Sequence, residues 1–231
     1  MKKNLLQAPV NWLPYINQEL SIDGFIHVIK ITVDKHYPEV DLSILSAQEI
    51  EKANRFIQQP DKERYLVSKY YLRLLLAKFL SLAPSAIEYS YTGNHKPALP
   101  GIEFNISHAE NYVVIAVSRF PVGVDVEFIK NGFEFRELME MCFSPEESSF
   151  ISHSEDQLLS FYLLWTRKEA ILKATGEGLT DHLYAVPSLP DEVLRQEQLF
   201  KIISTKASDH YIITAAFPLQ ENLILQLWNW E

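Results

Sequence analysis

Apolar and polar positions along the 231-residue chain recur with two periods, and these sort it into strands and helices. Over 25–33 the apolar Ile29, Ile31 and Val33 alternate with Lys30 and Thr32, the period of two that a half-buried strand requires. The same reading predicts strands near 87–91, 102–106, 112–117 and 122–127, and three more that close the chain at 199–204, 211–216 and 223–228. Ser46 followed three residues later by Glu49 has the form of a capping box and opens a helix to about 57. Pro60-Asp61 starts a longer helix, about 62–80, with Leu66, Tyr70, Leu74 and Ala77 at helical spacing. A further helix is predicted near 135–141. A second box, Ser144-Pro145-Glu146-Glu147, places Pro145 at the favoured first helical position. The last long helix, 156–174, stops at Gly176, and residues 1–20 read as an irregular arm. Two successive α+β halves, divided as 1–121 and 122–231, account for this order. No short-period repeat points to a solenoid.

Composition narrows the class. Apolar residues make up 47% of the chain and aromatics 12%, enough for a packed core and against disorder. Lys plus Arg number 21 against 30 Asp plus Glu, a net charge of −9 that argues against broad nucleic-acid binding. The single Cys142 excludes a disulfide framework and suits a reducing compartment. Gln7, Pro9, Asn11 and Pro14 interrupt any signal-like apolar stretch, and Arg73 and Lys78 interrupt the run at 72–80. The expectation is a cytoplasmic protein that neither enters a membrane nor binds nucleic acid.

Three segments carry candidate chemistry. In Val122-Gly123-Val124-Asp125-Val126-Glu127 the alternation of a strand puts Gly123, Asp125 and Glu127 on one face. Carboxylates that close repel unless a cation neutralises them or one is protonated, and oxygen-rich pairs suit magnesium. A solvated edge strand has the same pattern. In Trp165-Thr166-Arg167-Lys168-Glu169-Ala170-Ile171-Leu172-Lys173, Trp165, Glu169 and Lys173 form a helical stripe. Either Glu169 and Lys173 make a surface ion pair, or Glu169 joins a metal site and Lys173 reaches a phosphate. In Phe104-Asn105-Ile106-Ser107-His108, Asn105 and Ser107 face away from the buried side and His108 ends the strand. The other six histidines have no metal-ligand spacing and read as structural.

Together and in this order, the segments resemble the 4′-phosphopantetheinyl transferases of the single-chain, Sfp-type branch. The resemblance rests on Lys96-Pro97, then Phe104 to His108, then Gly123 to Glu127, then Trp165 to Lys173 with Gly176-Glu177-Gly178-Leu179 behind, over residues of about 96–179. It implies an α+β fold, the phosphopantetheinyl transferase fold, with two similar halves packed as an intramolecular pseudo-dimer and the site between them. It also implies transfer of the 4′-phosphopantetheine arm of coenzyme A to a serine of an apo acyl or peptidyl carrier protein, with release of adenosine 3′,5′-bisphosphate. Carried over, Asp125, Glu127 and Glu169 would hold Mg2+. Glu169 would also be the general base, directly or through water, and Lys173 would meet the pyrophosphate. Lys168 would have a supporting role. Ser107 and His108 would contact the phosphates, while Asn94, His95, Lys96 and Pro97 would lie along the adenosine. Lys52, and Arg64 on the next helix, would serve the 3′-phosphate.

Two departures stand out. His95 precedes Lys96-Pro97 where many relatives have glycine, and Glu49 stands where a second basic residue is expected beside Lys52. The alternatives are a non-catalytic relative that binds coenzyme A or carrier proteins, and a magnesium-dependent phosphohydrolase or nuclease. Because both halves come from one chain, a monomer is expected. The segment 133–143, with Phe133, Phe135, Met139, Met141 and Phe143, is either a carrier-docking surface or a packed amphipathic helix.

Overall fold

The capping residues set the boundaries of the helices. In the computed structural model, which describes residues 5–7, 11–91, 96–178 and 182–231, Ser46 and Ser144 each form a complete capping box with the glutamate three residues on. Asp156 caps the long C-terminal helix by accepting from the Leu159 N–H, and Gly176 ends it with φ +72°, the left-handed conformation that glycine adopts without strain. In chain order the elements are β1 (Leu13–Tyr15), β2 (Phe25–Thr32), α1 (Val33–His36), α2 (Ala47–Ala53), α3 (Gln59–Leu80), β3 (Ser90–Tyr91), β4 (Pro97–Ala98), β5 (Glu103–Ala109) and β6 (Tyr112–Ser118). There follow β7 (Gly123–Phe128), α4 (Met139–Cys142), α5 (Pro145–Ser152), α6 (Gln157–Thr175), β8 (Glu192–Arg195), β9 (Gln198–Ser208), β10 (Tyr211–Pro218) and β11 (Ile224–Trp230).

Two sheets stack between two long helices. The first has the order β1-β11-β2-β6-β5 and the second β7-β10-β9-β8. On the outer face of the first, Ile29, Ile31, Val113, Ile115 and Val117 pack against Val67, Tyr71, Leu72 and Leu75 of α3. On the outer face of the second, Phe200, Ile202, Ile212 and Ala216 share a core with Leu164 and Ile171 of α6. The inner faces meet through Ile26, Val28, Val114 and Ala116 on one side and Val124, Val126, Ile213 and Ala215 on the other. Each such valine or isoleucine removed from water contributes about 1.5–3 kcal/mol, so the sheet-on-sheet layer holds the halves together.

Several expectations shift. The strand at 223–228 forms, but as β11 it returns to the first sheet, parallel to β2, so the division at 121/122 is crossed by the end of the chain. Alternation reports a half-buried strand and not which sheet it joins. The stripe on α3 is displaced: Leu66 and Ala77 are buried, Tyr70 and Leu74 only half so, and Val67, Tyr71, Leu72, Leu75 and Leu76 carry the core. Apolar residues surround that helix, and periodicity cannot choose a face. The strand near 87–91 shortens to β3, the helix near 135–141 becomes a 3-10 turn and α4, and β8 was not foreseen. The N-terminal arm is partly built in, through β1 on β11 and a bridge from Leu6 to Ser204. No helix among the described residues is long and apolar enough to cross a membrane.

The two sheets meet along the edges β5 and β7. The free N–H groups of β7 are satisfied there by side chains: Val124 N–H donates to Asn105 Oδ1 at 3.0 Å and Val126 N–H to Ser107 Oγ at 3.3 Å. On the other flank, a Cβ built on Gly123 would lie 2.0 Å from the Ala170 carbonyl oxygen and 2.4 Å from the Ala174 nitrogen. Only glycine allows α6 this close. Gly123→Ala is therefore expected to cost at least about 3 kcal/mol, read as a lowered thermal midpoint or loss of folded protein. An unchanged midpoint would contradict this packing.

Candidate active site

The Gly123 contact brings two carboxylates of β7 under one turn of α6. Strand alternation points Asp125 and Glu127 to the same outer face as Gly123, and Glu169 and Lys173 lie one turn apart on the helix above. Lys173 Nζ donates to Asp125 Oδ1 at 2.6 Å and to Ser107 Oγ at 3.1 Å, and Ser107 Oγ donates to the same Asp125 oxygen at 2.8 Å. Asp125 is buried, and its other oxygen, Oδ2, has no hydrogen-bond partner; neither does the buried Oε1 of Glu169. Such atoms are costly to leave unpaired.

Charge is correspondingly unbalanced. Burial first, and then the neighbouring Asp125, push the Glu127 carboxyl up to about 7, against the pull of Lys173 and a hydrogen bond with Trp165. Burial and Asp125 raise Glu169 as well, again opposed by Lys173. Three carboxylates share one ammonium, and two of them hold protons more tightly than usual. The cleft they line is about 330 Å³. Two more open at the far end of α6: one of about 270 Å³ touching Lys96, Asn105, Lys173 and Gly178, and one of about 360 Å³ touching Pro97, Glu103 and Thr175. A fourth, about 420 Å³, runs from Glu127 and Trp165 past Phe133 to Arg64 and His108.

Most of the expected residues converge on this seam. Lys96 donates to the Lys173 carbonyl at 3.3 Å and stands 3.8 Å from Glu103. Pro97 lies in β4 beside the 360 Å³ cleft. His108 is exposed at the end of β5, its pKa held down by the surrounding protein and then by Arg64, Lys173 and Lys69. Arg64 donates to the Glu110 carbonyl at 2.8 Å and pairs with Asp61. Lys52 is exposed over the Tyr65 ring. Asn94 and His95 lie outside the described residues. Glu49 is turned inward, its Oε2 accepting from Arg73 Nε at 2.8 Å.

Lys168 is inside the protein: fully buried, it donates to Glu147 Oε2 at 2.7 Å and to the carbonyls of Leu183 and Val186. Its role is to anchor α6. Asn105 was read only as facing away from the core, and its capping of β7 depends on a pairing of sheets that the local pattern does not report. His27 and His36 are buried against Trp228 and the Trp230 carbonyl, in keeping with a structural reading.

Among the described residues no three His, Cys, Asp or Glu side chains are gathered closely enough to hold a metal ion. The donor set nevertheless fits a hard divalent cation: three carboxylates, two unpartnered buried oxygens, and two raised proton affinities that a cation would reverse.

The raised Glu127 has a consequence for stability. The unfolded carboxyl ionises near 4.5 and the folded one near 7, so folding takes up a proton between these values. Without a divalent cation, stability is expected to fall as pH rises through that window. In chelator, Glu127→Gln should raise the thermal midpoint at pH 8 and leave it nearly unchanged near pH 4; equal midpoints at pH 8 would contradict the electrostatic reading.

Comparison with known proteins identifies the family. Residues 121–216 match the 4′-phosphopantetheinyl transferase superfamily, and residues 34–120 match the N-terminal region of 4′-phosphopantetheinyl transferases. A putative 4′-phosphopantetheinyl transferase of Synechocystis is 34% identical over 164 residues, 68% of this chain and 66% of that one. A 4′-phosphopantetheinyl transferase of Bacillus subtilis is 35% identical over 60% of this chain and 63% of its own. The 4′-phosphopantetheinyl transferase HetI of Nostoc is 30% identical over 73% of this chain and 76% of its own. The matched stretch thus spans about two thirds of these relatives' lengths. With both halves matched and the carboxylates gathered at the seam between them, the chain belongs to the 4′-phosphopantetheinyl transferase superfamily.

Proposed function

We propose that this chain transfers the 4′-phosphopantetheine arm of coenzyme A to a serine hydroxyl of an apo acyl or peptidyl carrier protein. The observation that carries the reading is the cluster of Asp125, Glu127, Glu169 and Lys173 in the cleft between the halves. In the transfer a bond forms between the serine oxygen and the phosphorus of the pantetheine phosphate. The bond from that phosphorus to the bridging oxygen breaks, and adenosine 3′,5′-bisphosphate leaves with the electron pair.

Each residue has a part that its environment supports. Asp125, Glu127 and Glu169 would hold Mg2+, which when bound supplies charge neutralisation at the pyrophosphate. Lys173, already aimed into the cleft, is a point charge for the developing negative charge on the leaving oxygen. Glu169, with a raised pKa and an oxygen without a partner, accepts the proton of the serine hydroxyl, which is a weak nucleophile until that proton is removed. Ser107 keeps Lys173 and Asp125 in register. Lys96 and Pro97 border clefts at the far end of α6 that would take the adenosine.

The carrier would approach along the 420 Å³ cleft, which Phe133 lines at 36% exposure while resting on Phe161 and Tyr162; Met141, outside that cleft, is 63% exposed, whereas Phe135 and Phe143 are buried on Phe161. That leaves Phe133 and Met141, with Lys130 and Arg136 nearby in sequence, as the surface offered to an acidic partner. Both halves of the site come from one chain, so a monomer in the cytoplasm suffices.

The test is intact-mass spectrometry of apo carrier proteins from fatty-acid, polyketide and non-ribosomal peptide synthesis, mixed with the protein, coenzyme A and Mg2+. One phosphopantetheine should be gained and EDTA should prevent it. Glu169→Gln should slow the gain by at least about 100-fold with coenzyme A binding retained. No gain on any carrier, or an undiminished rate in the variant, would overturn the assignment.

A further inference from the structure

Asn105 and Ser107 fasten the two sheets along one edge, where β5 meets β7. The far side of the sandwich is joined through the N-terminal arm, which sets one apolar anchor in each layer of the protein. Leu5 is buried in the core beneath α6, with Leu6 packed against it. Trp12 packs on the layer between the sheets. Tyr15 is buried in the core beneath α3, its ring centroid 4.7 Å from that of Trp230.

Polar contacts give the arm a direction that these layers lack. Leu6 bridges Ser204 in parallel, beyond the stretch of β9, 198–201, that β8 covers, and the Gln7 N–H donates to the Ser204 carbonyl at 3.0 Å. At the other end β1 runs parallel to β11, and the Tyr15 hydroxyl accepts from Lys78 Nζ of α3 at 3.0 Å. Between the two ends the Trp12 ring lies 4.9 Å from the Lys30 ammonium, with Tyr112 at the same distance. Lys30 is buried and makes no salt bridge among the described residues, so the two rings stabilise its charge. Ser204 carries the connection onward. Its buried hydroxyl accepts from Arg167 Nη1 at 3.3 Å and bonds to Thr214 Oγ1 at 2.9 Å, and Thr214 bonds in turn to Thr166 Oγ1 at 2.9 Å. Thr166 and Arg167 precede Glu169 on α6 by less than one turn.

We propose that the N-terminal arm is a positioning clasp: it closes the far side of the sandwich and, through Ser204, keeps Glu169 and Lys173 of α6 in place over β7. Apolar contact between sheets has no preferred direction, so a sandwich fastened along one edge can open about that edge. A second fastening on the opposite side fixes the angle. The angle matters because Lys173 of α6 reaches Asp125 of β7 and Ser107 of β5 at once, and opening would draw it away from one of them. The expected effect on rate rests on the transfer reading above. The residues of the clasp lie outside the motifs that carried the resemblance.

Leu5→Asp puts a carboxylate against the α6 core and should release this end of the arm. The turnover number for phosphopantetheine transfer should then fall about 10-fold or more, with the KM for the carrier within about twofold, and Leu5→Met should restore it. Hydrogen exchange should show the amides of 166–173 in α6 opening at least about tenfold faster, while those of 65–76 in α3 are unchanged. Leu5→Ala, which removes the anchor without adding a charge, should give the same pattern more weakly, and thermal midpoints should show the variants folded. Unchanged turnover in a folded variant, or faster exchange spread equally over α3 and α6, would overturn the clasp. Wild-type protein without transfer activity would overturn the transfer reading, and the exchange comparison would then decide the clasp by itself.

Discussion

The Ala170 carbonyl and the Ala174 nitrogen occupy the space where a side chain at position 123 would be, and the chemistry of this protein depends on that vacancy. With hydrogen as its only side chain, Gly123 lets α6 lie directly on β7. One helical turn then places Glu169 and Lys173 over a strand whose alternation has already gathered Asp125 and Glu127 on the same face. A helix farther off would leave Lys173 unable to reach Asp125 at 2.6 Å.

The opposite side of α6 is fastened as firmly. Arg167 donates to the Ser188 carbonyl at 2.5 Å and to Asp191 at 2.9 Å, while Lys168 and Ser188 both bond to Glu147. Burying an arginine and a lysine is expensive in desolvation, and the compensation comes from every nitrogen of the two side chains finding an oxygen. Such directional anchoring fixes the rotation of the helix, which apolar contacts alone specify loosely. Rotation is what decides whether Glu169 faces the cleft. Glu127 and Glu169 are held there with raised proton affinities and Asp125 with an unpartnered oxygen, an arrangement unfavourable to the free protein and suited to a cation or a polyanion–cation pair.

Local signals in the sequence were sufficient for the parts of the fold that are local. Ser46, Ser144, Asp156 and Gly176 mark helix ends because a cap needs only its own neighbours. The carboxylate face of β7 and the Glu169–Lys173 stripe follow from periods of two and 3.6 alone. What escaped notice depends on distant partners. Arg167 and Lys168 look like a solvated stretch until residues 147, 188 and 191 surround them. Asn105 is a cap only once the edge of β7 lies beside β5, and β11 has the alternation of a C-terminal strand whichever sheet it joins. Glu49 reads as a surface residue of α2 until Arg73, on the next helix, draws it inward.

The claim that one seam gathers both the cation and the coenzyme's pyrophosphate is tested most directly by phosphorus NMR of coenzyme A bound to the protein, with Mn2+ as a paramagnetic probe. The account expects the two pyrophosphate resonances to broaden well before the 3′-phosphate resonance, and expects Asp125→Asn to abolish that difference. Uniform broadening of all three resonances in the wild-type protein, or selective broadening that survives the substitution, would contradict it.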